Sequence, residues 1–339
     1  MAVNANAIAA APTPVRPRRS VIASHRRVDP LELLLGVGPS IAAALVVGLL
    51  VLIVGTIIVQ GAPVVDWTFL TESPTSTPGA PYGVLPAIVG TVFHSLLMIV
   101  MALPLGVCAA IYLVEYAGNT QFARIARAAV NNLAGVPSIV FGLFGVGFFI
   151  LFIGRLMDTV TQPIDPATHQ PILFYGQPAL FWASCTLACL VLPVIIVSTE
   201  EALLTVPNSY REAALALGAS KWQTIREIVL PQARGGIMTG AIMAISRSAG
   251  ETAPILFTGA AYFLPNLPLF YWHGLPVMNP WSQFMELAYH IYTLVTQSTD
   301  PAKELPHQYA TTLVLLVLTF GLNLTAIVAR YRFRKSLMH

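Results

Sequence analysis

Unbroken apolar runs, rather than periods of two or of 3.6, dominate this chain. Six of them, at residues 41–59, 88–114, 136–153, 179–197, 237–263 and 311–328, can each cross about 30 Å of hydrocarbon as a helix rising about 1.5 Å per residue. Gly142, Gly145 and Gly147 interrupt the third, weakening it as a helix, although glycine is commoner in membrane helices than in soluble ones. Proline-rich polar stretches at residues 61–85, 154–178 and 264–309 separate alternate runs. Within the last, Phe284, Leu287, Ile291 and Leu294 recur at spacings of three and four. That pattern predicts a helix over 281–295, with Gln283, Glu286 and His290 off its apolar face, lying on a membrane surface or packed on the outer loops.

Composition points the same way. Of 339 residues, 56% are hydrophobic and 10% charged, against roughly 25% charged in a soluble domain. The sign of the charge then sets the topology, because cytoplasmic flanks retain Lys and Arg. Fifteen of the 18 basic residues fall on one side. They are Arg16, Arg18, Arg19, Arg26 and Arg27 before the first run, and Arg124 and Arg127 between the second and third. Arg211, Lys221, Arg226 and Arg234 lie between the fourth and fifth, and Arg330, Arg332, Arg334 and Lys335 after the sixth. Arg155 and Lys303 lie opposite, and Arg247 is inside a run. Both termini are therefore expected in the cytoplasm, which an even number of spans requires.

Residues 1–30 lack periodicity and read as a disordered cytoplasmic tail. The first span and its outer loop then occupy 31–84, a five-helix core 85–329, and a basic cytoplasmic tail 330–339. The first apolar run begins beyond Pro30 and is long enough to be kept as a helix rather than cleaved as a signal. Cys108, Cys185 and Cys189 all lie in apolar runs, which argues against disulfides. Cys185 and Cys189 share a helical face, but no His, Asp or Glu stands near to complete a metal site, so packing is the expected role. No catalytic residues, no metal ligands and no phosphate-cradling G-x-x-x-x-G-K-[ST] loop are found.

The densest signals lie in the cytoplasmic connection 199–234. Ser209 with Glu212, and Ser220 with Gln223, have the spacing of capping boxes and predict two helix starts. Gly218 lies where the first helix must turn, and Pro231 is expected to stop the second. The result is a helix–turn–helix hairpin with Ala213, Ala214 and Ala216 as an exposed small-residue surface. Glu212-Ala213-Ala214, Gly218, Ile228 and Leu230-Pro231 resemble, in residue type and spacing, the EAA loop of ABC-importer permeases. The resemblance implies the type I (MetI-like) all-α permease fold and a coupling helix docked in a separate nucleotide-binding ATPase subunit that carries the ATP and Mg. Glu212 and the Gly218 turn would sit at the docking surface; Glu212 as a mere cap on Ser209 is the plainer alternative, and compatible.

Arg247 and Glu251 fall inside the fifth run at i, i+4. Charges there cost at least about 2.5–3.5 kcal/mol each, so they should face the bundle interior and pair. The pair either fixes helix rotation or presents Arg247 to a passing oxyanion, with Ser248 and Thr252 as hydroxyl donors and Glu251 as the brace. Pro254 should free the carbonyl of Gly250. The stretch 246–262, with Gly-Glu-Thr-Ala-Pro at its centre, resembles phosphate-importer permeases, the PstA subunit family in particular. That resemblance covers the chain from about residue 85 onward. It implies import of inorganic phosphate across a prokaryotic cytoplasmic membrane by alternating access, with a homologous second permease (PstC-like) and an external phosphate-binding protein. Sulfate, molybdate and phosphonate are chemically equivalent cargoes for Arg247. A proton-coupled carrier using Arg247, Glu251 and His94 is the rival of another class, although no second copy of the Arg/Glu helix is visible. His94 otherwise reads as a histidine bonded between helices, and Glu115, Asn131 and Asn132 as helix-capping or bridging groups.

Overall fold

A computed structural model describes residues 30–74, 82–164, 171–272, 275–298 and 300–335. The expected N-terminal tail with its five arginines, parts of the three connections at 61–85, 154–178 and 264–309, and the last four residues lie outside the described residues. Residue contacts divide the chain into Met1–Val54 and Gly55–His339. The first unit holds most of α1 (Pro30–Gly61), which carries Pro39 within it.

The second unit continues through α2 (Trp67–Thr71) and α3 (Leu85–Ile111), which runs into a π turn at Tyr112–Tyr116. Next come α4 (Gln121–Ala134), α5 (Ser138–Phe144), a π-helical stretch at Gly145–Gly154, α6 (Arg155–Thr161) and α7 (Leu180–Leu204). The hairpin region holds α8 (Asn208–Ala216), α9 (Lys221–Thr224), a π turn at Ile225–Val229, and α10 (Leu230–Ser248). Next come the antiparallel pair β1 (Leu269–Trp272) and β2 (Leu275–Met278), then α11 (Leu287–Thr296) and α12 (Pro301–Lys335).

Among the described residues six helical runs are long and apolar enough to span: Gly36–Gly61, Leu85–Tyr116, Ser138–Thr161, Leu180–Leu204, Lys221–Ser248 and Ala302–Arg332. Five lie where hydropathy puts them. α7 is the central post, buried along most of its length and packed against α3 and α10. Two glycines of the third span, Gly142 and Gly145, prove to be contact points, while Gly147 has open space beside it. A Cβ on Gly145 would run into the side chains of Thr186 and Thr258, so its absence lets that span lie close against α7.

The fifth span corrects the sequence reading twice. Pro231 does not end a helix: the run is continuous from Lys221 to Ser248. The π turn at Ile225–Val229, in which the Leu230 amide bonds the Ile225 carbonyl five residues back, shifts the register around the amide that proline lacks. Arg226 and Glu227, within that turn, are exposed. At the other end the helix stops at Ser248 instead of continuing to residue 263. Gly250 and Pro254 break it, and residues 252–260 close on themselves through Leu256–Thr252 and Gly259–Ile255 backbone bonds. This irregular stretch is enclosed by protein: Ile255 is buried with Leu180, Ala183 and Phe284, and the Thr258 carbonyl accepts the Ala179 amide. Such enclosure is what non-helical backbone in a membrane protein requires.

The end of the bundle away from the hairpin is tied together by buried polar groups. Asp158 is fully buried and accepts from the Phe174, Tyr175 and Gly176 amides at 3.2, 2.8 and 2.7 Å, pinning the second outer loop to α6. The expected surface helix is shorter, starting at Leu287, and packed against α12 and α3. Glu286 and His290, assigned by periodicity to its polar face, are buried. Glu286 is the N-cap, accepting from the Tyr289 amide at 2.7 Å, and His290 Nε2 bonds the Tyr82 hydroxyl at 2.7 Å.

Burial pushes the Glu286 carboxyl up to about 7 against its own hydrogen bonds, which lower it. Burial, with His307 nearby, lowers His290 to about 4. Glu286 therefore holds its proton better folded than unfolded, and costs stability as pH rises from about 4.5 through 7. His290 is neutral folded, so its contribution is lost as pH falls from 6.5 through about 4. Glu286→Gln keeps an acceptor for the cap and removes the first term. Its gain in stability over wild type should be small near pH 5 and grow toward pH 8 to on the order of 3 kcal/mol, as read by thermal unfolding in detergent; a pH-independent gain would contradict this.

Candidate functional site

The hairpin between the fourth and fifth spans is built as its spacing implies, with two local corrections. Gly218 sits at φ +86°, the left-handed region that a Cβ disfavours, and turns the chain between α8 and α9. Ser220 and Gln223 form the predicted reciprocal box: the Gln223 amide donates to Ser220 Oγ at 3.3 Å and the Ser220 amide to Gln223 Oε1 at 2.8 Å. The Ser209–Glu212 box does not form. Pro207 takes the N-cap position and Ser209 lies inside α8, because a proline with preset φ starts the helix earlier. Ala214 is buried, not exposed. Glu212, Ala213, Ala216 and Gly218 are exposed, with Leu217 beside the turn 90% exposed, while Ile228, Leu230 and Pro231 are half-buried.

The root of the hairpin rests on an apolar cluster that includes Leu113 and Ala117 after α3, Leu203 and Val206 from the end of α7, and Ile225 and Val229. Two arginines flank it. Arg211 Nη2 donates to Glu115 Oε1 at 2.8 Å and Nε to the same oxygen at 3.1 Å, while its Nη groups reach the Leu203 and Val206 carbonyls at 2.9 and 2.6 Å. Arg127 donates to Glu200 Oε2 at 3.1 Å and to the Leu113 and Gly118 carbonyls at 2.8 and 3.2 Å. Lys221 Nζ lies 4.7 Å from the centre of the Tyr116 ring. The sequence marks Glu115 only as a group near a helix end; its partner is 96 residues away, beyond any local periodicity.

The charged pair of the fifth run also forms, in a different setting from the one expected. Arg247 is in the last turn of α10 and Glu251 follows the helix, so the pair brackets a helix end. The Arg247 Nε to Glu251 Oε1 distance is 3.3 Å, with side chains 39% and 21% exposed. Next to Arg247, Ser246 Oγ accepts from Asn323 of α12 at 3.2 Å. Thr252 is half-buried; Ser248 is buried and its hydroxyl donates to the Ile245 carbonyl at 3.0 Å. His94 is buried against the Phe284 ring at 5.1 Å. Cys185 Sγ lies 3.7 Å from Met101 Sδ, and Cys189 lines an apolar cavity of about 360 Å³ with Leu133, Phe141 and Leu192.

Residues 102–337 match the family of binding-protein-dependent transport system inner membrane components. The chain is 30% identical over 286 residues to a probable ABC transporter permease protein, YqgI, of Bacillus subtilis, covering 83% of this chain and 90% of that one. It is 36% identical over 203 residues to the phosphate transport system permease protein PstA of Haemophilus influenzae, covering 60% of this chain and 64%, just under two thirds, of that protein. Its fold is that of a solved bacterial ABC transporter involved in the import of the acidic polysaccharide alginate, with TM-score 0.59, 14% identity, and 89% and 97% of the two chains covered.

The turn is where this site is most open to test. Gly218→Val should cost about 1–2 kcal/mol through its left-handed φ, and Gly218→Asn less. Limited proteolysis at the hairpin and the thermal midpoint read the difference; equal behaviour of both variants and wild type would contradict the strained turn.

Proposed function

The chain belongs to the binding-protein-dependent transport system inner membrane components, and from that premise we propose that it is one permease subunit of an ATP-driven importer of inorganic phosphate. The observation that carries the reading is the hairpin, whose tip at Glu212, Ala213 and Gly218 is exposed while its root is bonded to the ends of α3 and α7. A separate ATPase subunit grips that tip, with Ala214, Ile228, Leu230 and Pro231 backing it. Nucleotide and Mg belong to that subunit, because this chain has no phosphate-cradling loop.

Both termini and the hairpin face the cytoplasm, in keeping with the side that holds fifteen of the 18 basic residues. The division into a tail (1–30), a first span with its loop (31–84), a core (85–329) with the coupling loop 199–234, and a basic end (330–339) follows from this topology. An external phosphate-binding protein delivers the anion on the other side, and a homologous, PstC-like permease completes the pathway. Alternating access then carries the anion past Arg247. Its guanidinium is partly exposed and braced by Glu251, which keeps the local charge near neutral until an oxyanion arrives; Thr252 and Ser248 lie alongside. Phosphate is favoured over sulfate, molybdate or phosphonate by the stretch 246–262 and by the similarity to the Haemophilus influenzae protein.

Cells lacking this gene should regain micromolar uptake of labelled phosphate when the wild type is restored, and should not regain it with Arg247→Gln although the protein still inserts. Excess sulfate or molybdate should not compete. Normal uptake by the variant would return the pair to a structural role, and competition by another oxyanion would replace the cargo.

A further inference from the structure

The two arginines at the root of the hairpin are wired in opposite senses. Arg127, on α4, caps the carbonyls that end α3 (Leu113 and Gly118) and takes its carboxylate, Glu200, from α7. Arg211, on α8, caps the carbonyls that end α7 (Leu203 and Val206) and takes its carboxylate, Glu115, from the end of α3. Each guanidinium thus donates to carbonyls at the end of one helix, where acceptors outnumber backbone donors, while holding a charge on the other. The planar five-donor fork suits this task, and a lysine ammonium does not.

We propose that this crossed tie makes the cytoplasmic ends of α3 and α7 one rigid receiver, so that displacement of α8 reaches both spans together; Arg127, Arg211, Glu115 and Glu200 are positioning residues. The inference rests on the importer reading for its functional meaning. The hairpin is joined through the chain to α7 on one side and to α10 on the other, but α3 has no covalent link to it nearby. Glu115, together with Lys221 over Tyr116, is how α3 is engaged. The Arg211–Glu115 side chains are 16% and 9% exposed, against 32% and 14% for Arg127–Glu200, so the first pair is the better shielded and the harder to lose.

The test uses the complex with its ATPase and binding protein, in which ATP hydrolysis is measured with and without loaded binding protein. Glu115→Ala should leave the ATPase co-purifying and unstimulated hydrolysis within about twofold of wild type, yet cut the stimulated-to-basal ratio about fivefold or more, the scale of a lost coupling between sites. Glu115→Asp should recover most of the ratio, and Arg211→Lys should not. A wild-type ratio in Glu115→Ala would overturn the tie. Absence of stimulation in the wild-type complex would instead sink the importer reading. The tie is then read in the chain alone, with its three cysteines replaced by alanine and spin labels at Gln121→Cys and Ala216→Cys. The label distance should be narrowly distributed with Glu115 and broadened by Glu115→Ala; equal widths would overturn the proposal.

Discussion

Hydrocarbon offers the backbone no hydrogen-bond partner, and most of this structure follows from that constraint. It forces the apolar runs into helices that satisfy their own amides and carbonyls. It also decides where the chain can be irregular. The stretch after Ser248 loses its helix at Gly250 and Pro254, and it is enclosed by α7, the third span and Phe284, with its backbone bonded in turns and to Ala179. Breaking a helix inside the bundle places Arg247 at a helix end with a partly exposed guanidinium, where a continuous helix would have placed it mid-span. The same break that is costly in lipid leaves the charged pair at a helix end with both side chains partly exposed, the setting on which the proposed role in anion passage rests.

At the hairpin end of the bundle the constraint relaxes and the chemistry changes. Helix ends there can be capped by arginine instead of by another turn, and the π turn before Leu230 lies at the exposed residues Arg226 and Glu227. The hairpin exploits both. Its second arm is the base of the fifth span, and its first arm is bonded to the ends of the second and fourth spans. The hairpin turned at Gly218 is therefore tied to three membrane helices, which is what the proposed importer reading requires of the surface an ATPase would hold.

The spans were legible because hydropathy reports transfer into lipid and little else. The same insensitivity hid the end of the fifth: residues 253–263 are apolar whether helical or folded in turns, and the glycine and proline that break it are tolerated elsewhere, as Pro104 and Pro193 inside α3 and α7 show. Pro231 misled for a related reason, since a π turn is a register shift with no compositional mark. At the hairpin, Gly218 and the Ser220–Gln223 box were readable because both act within four residues. Ser209 was not, because Pro207 offers an earlier start. The Glu115–Arg211 and Arg127–Glu200 pairs, and the burial of Glu286 and His290, depend on partners distant in sequence, and no local pattern carries them.

The central claim is that work enters through the hairpin from ATP and not through the charged groups from a proton gradient. Its most direct test is uptake of labelled phosphate by cells relying on this permease, measured after ATP depletion and, separately, after a protonophore applied with ATP maintained. Uptake abolished by the first and preserved under the second is the predicted result; uptake that survives ATP depletion and collapses with the protonophore would contradict it.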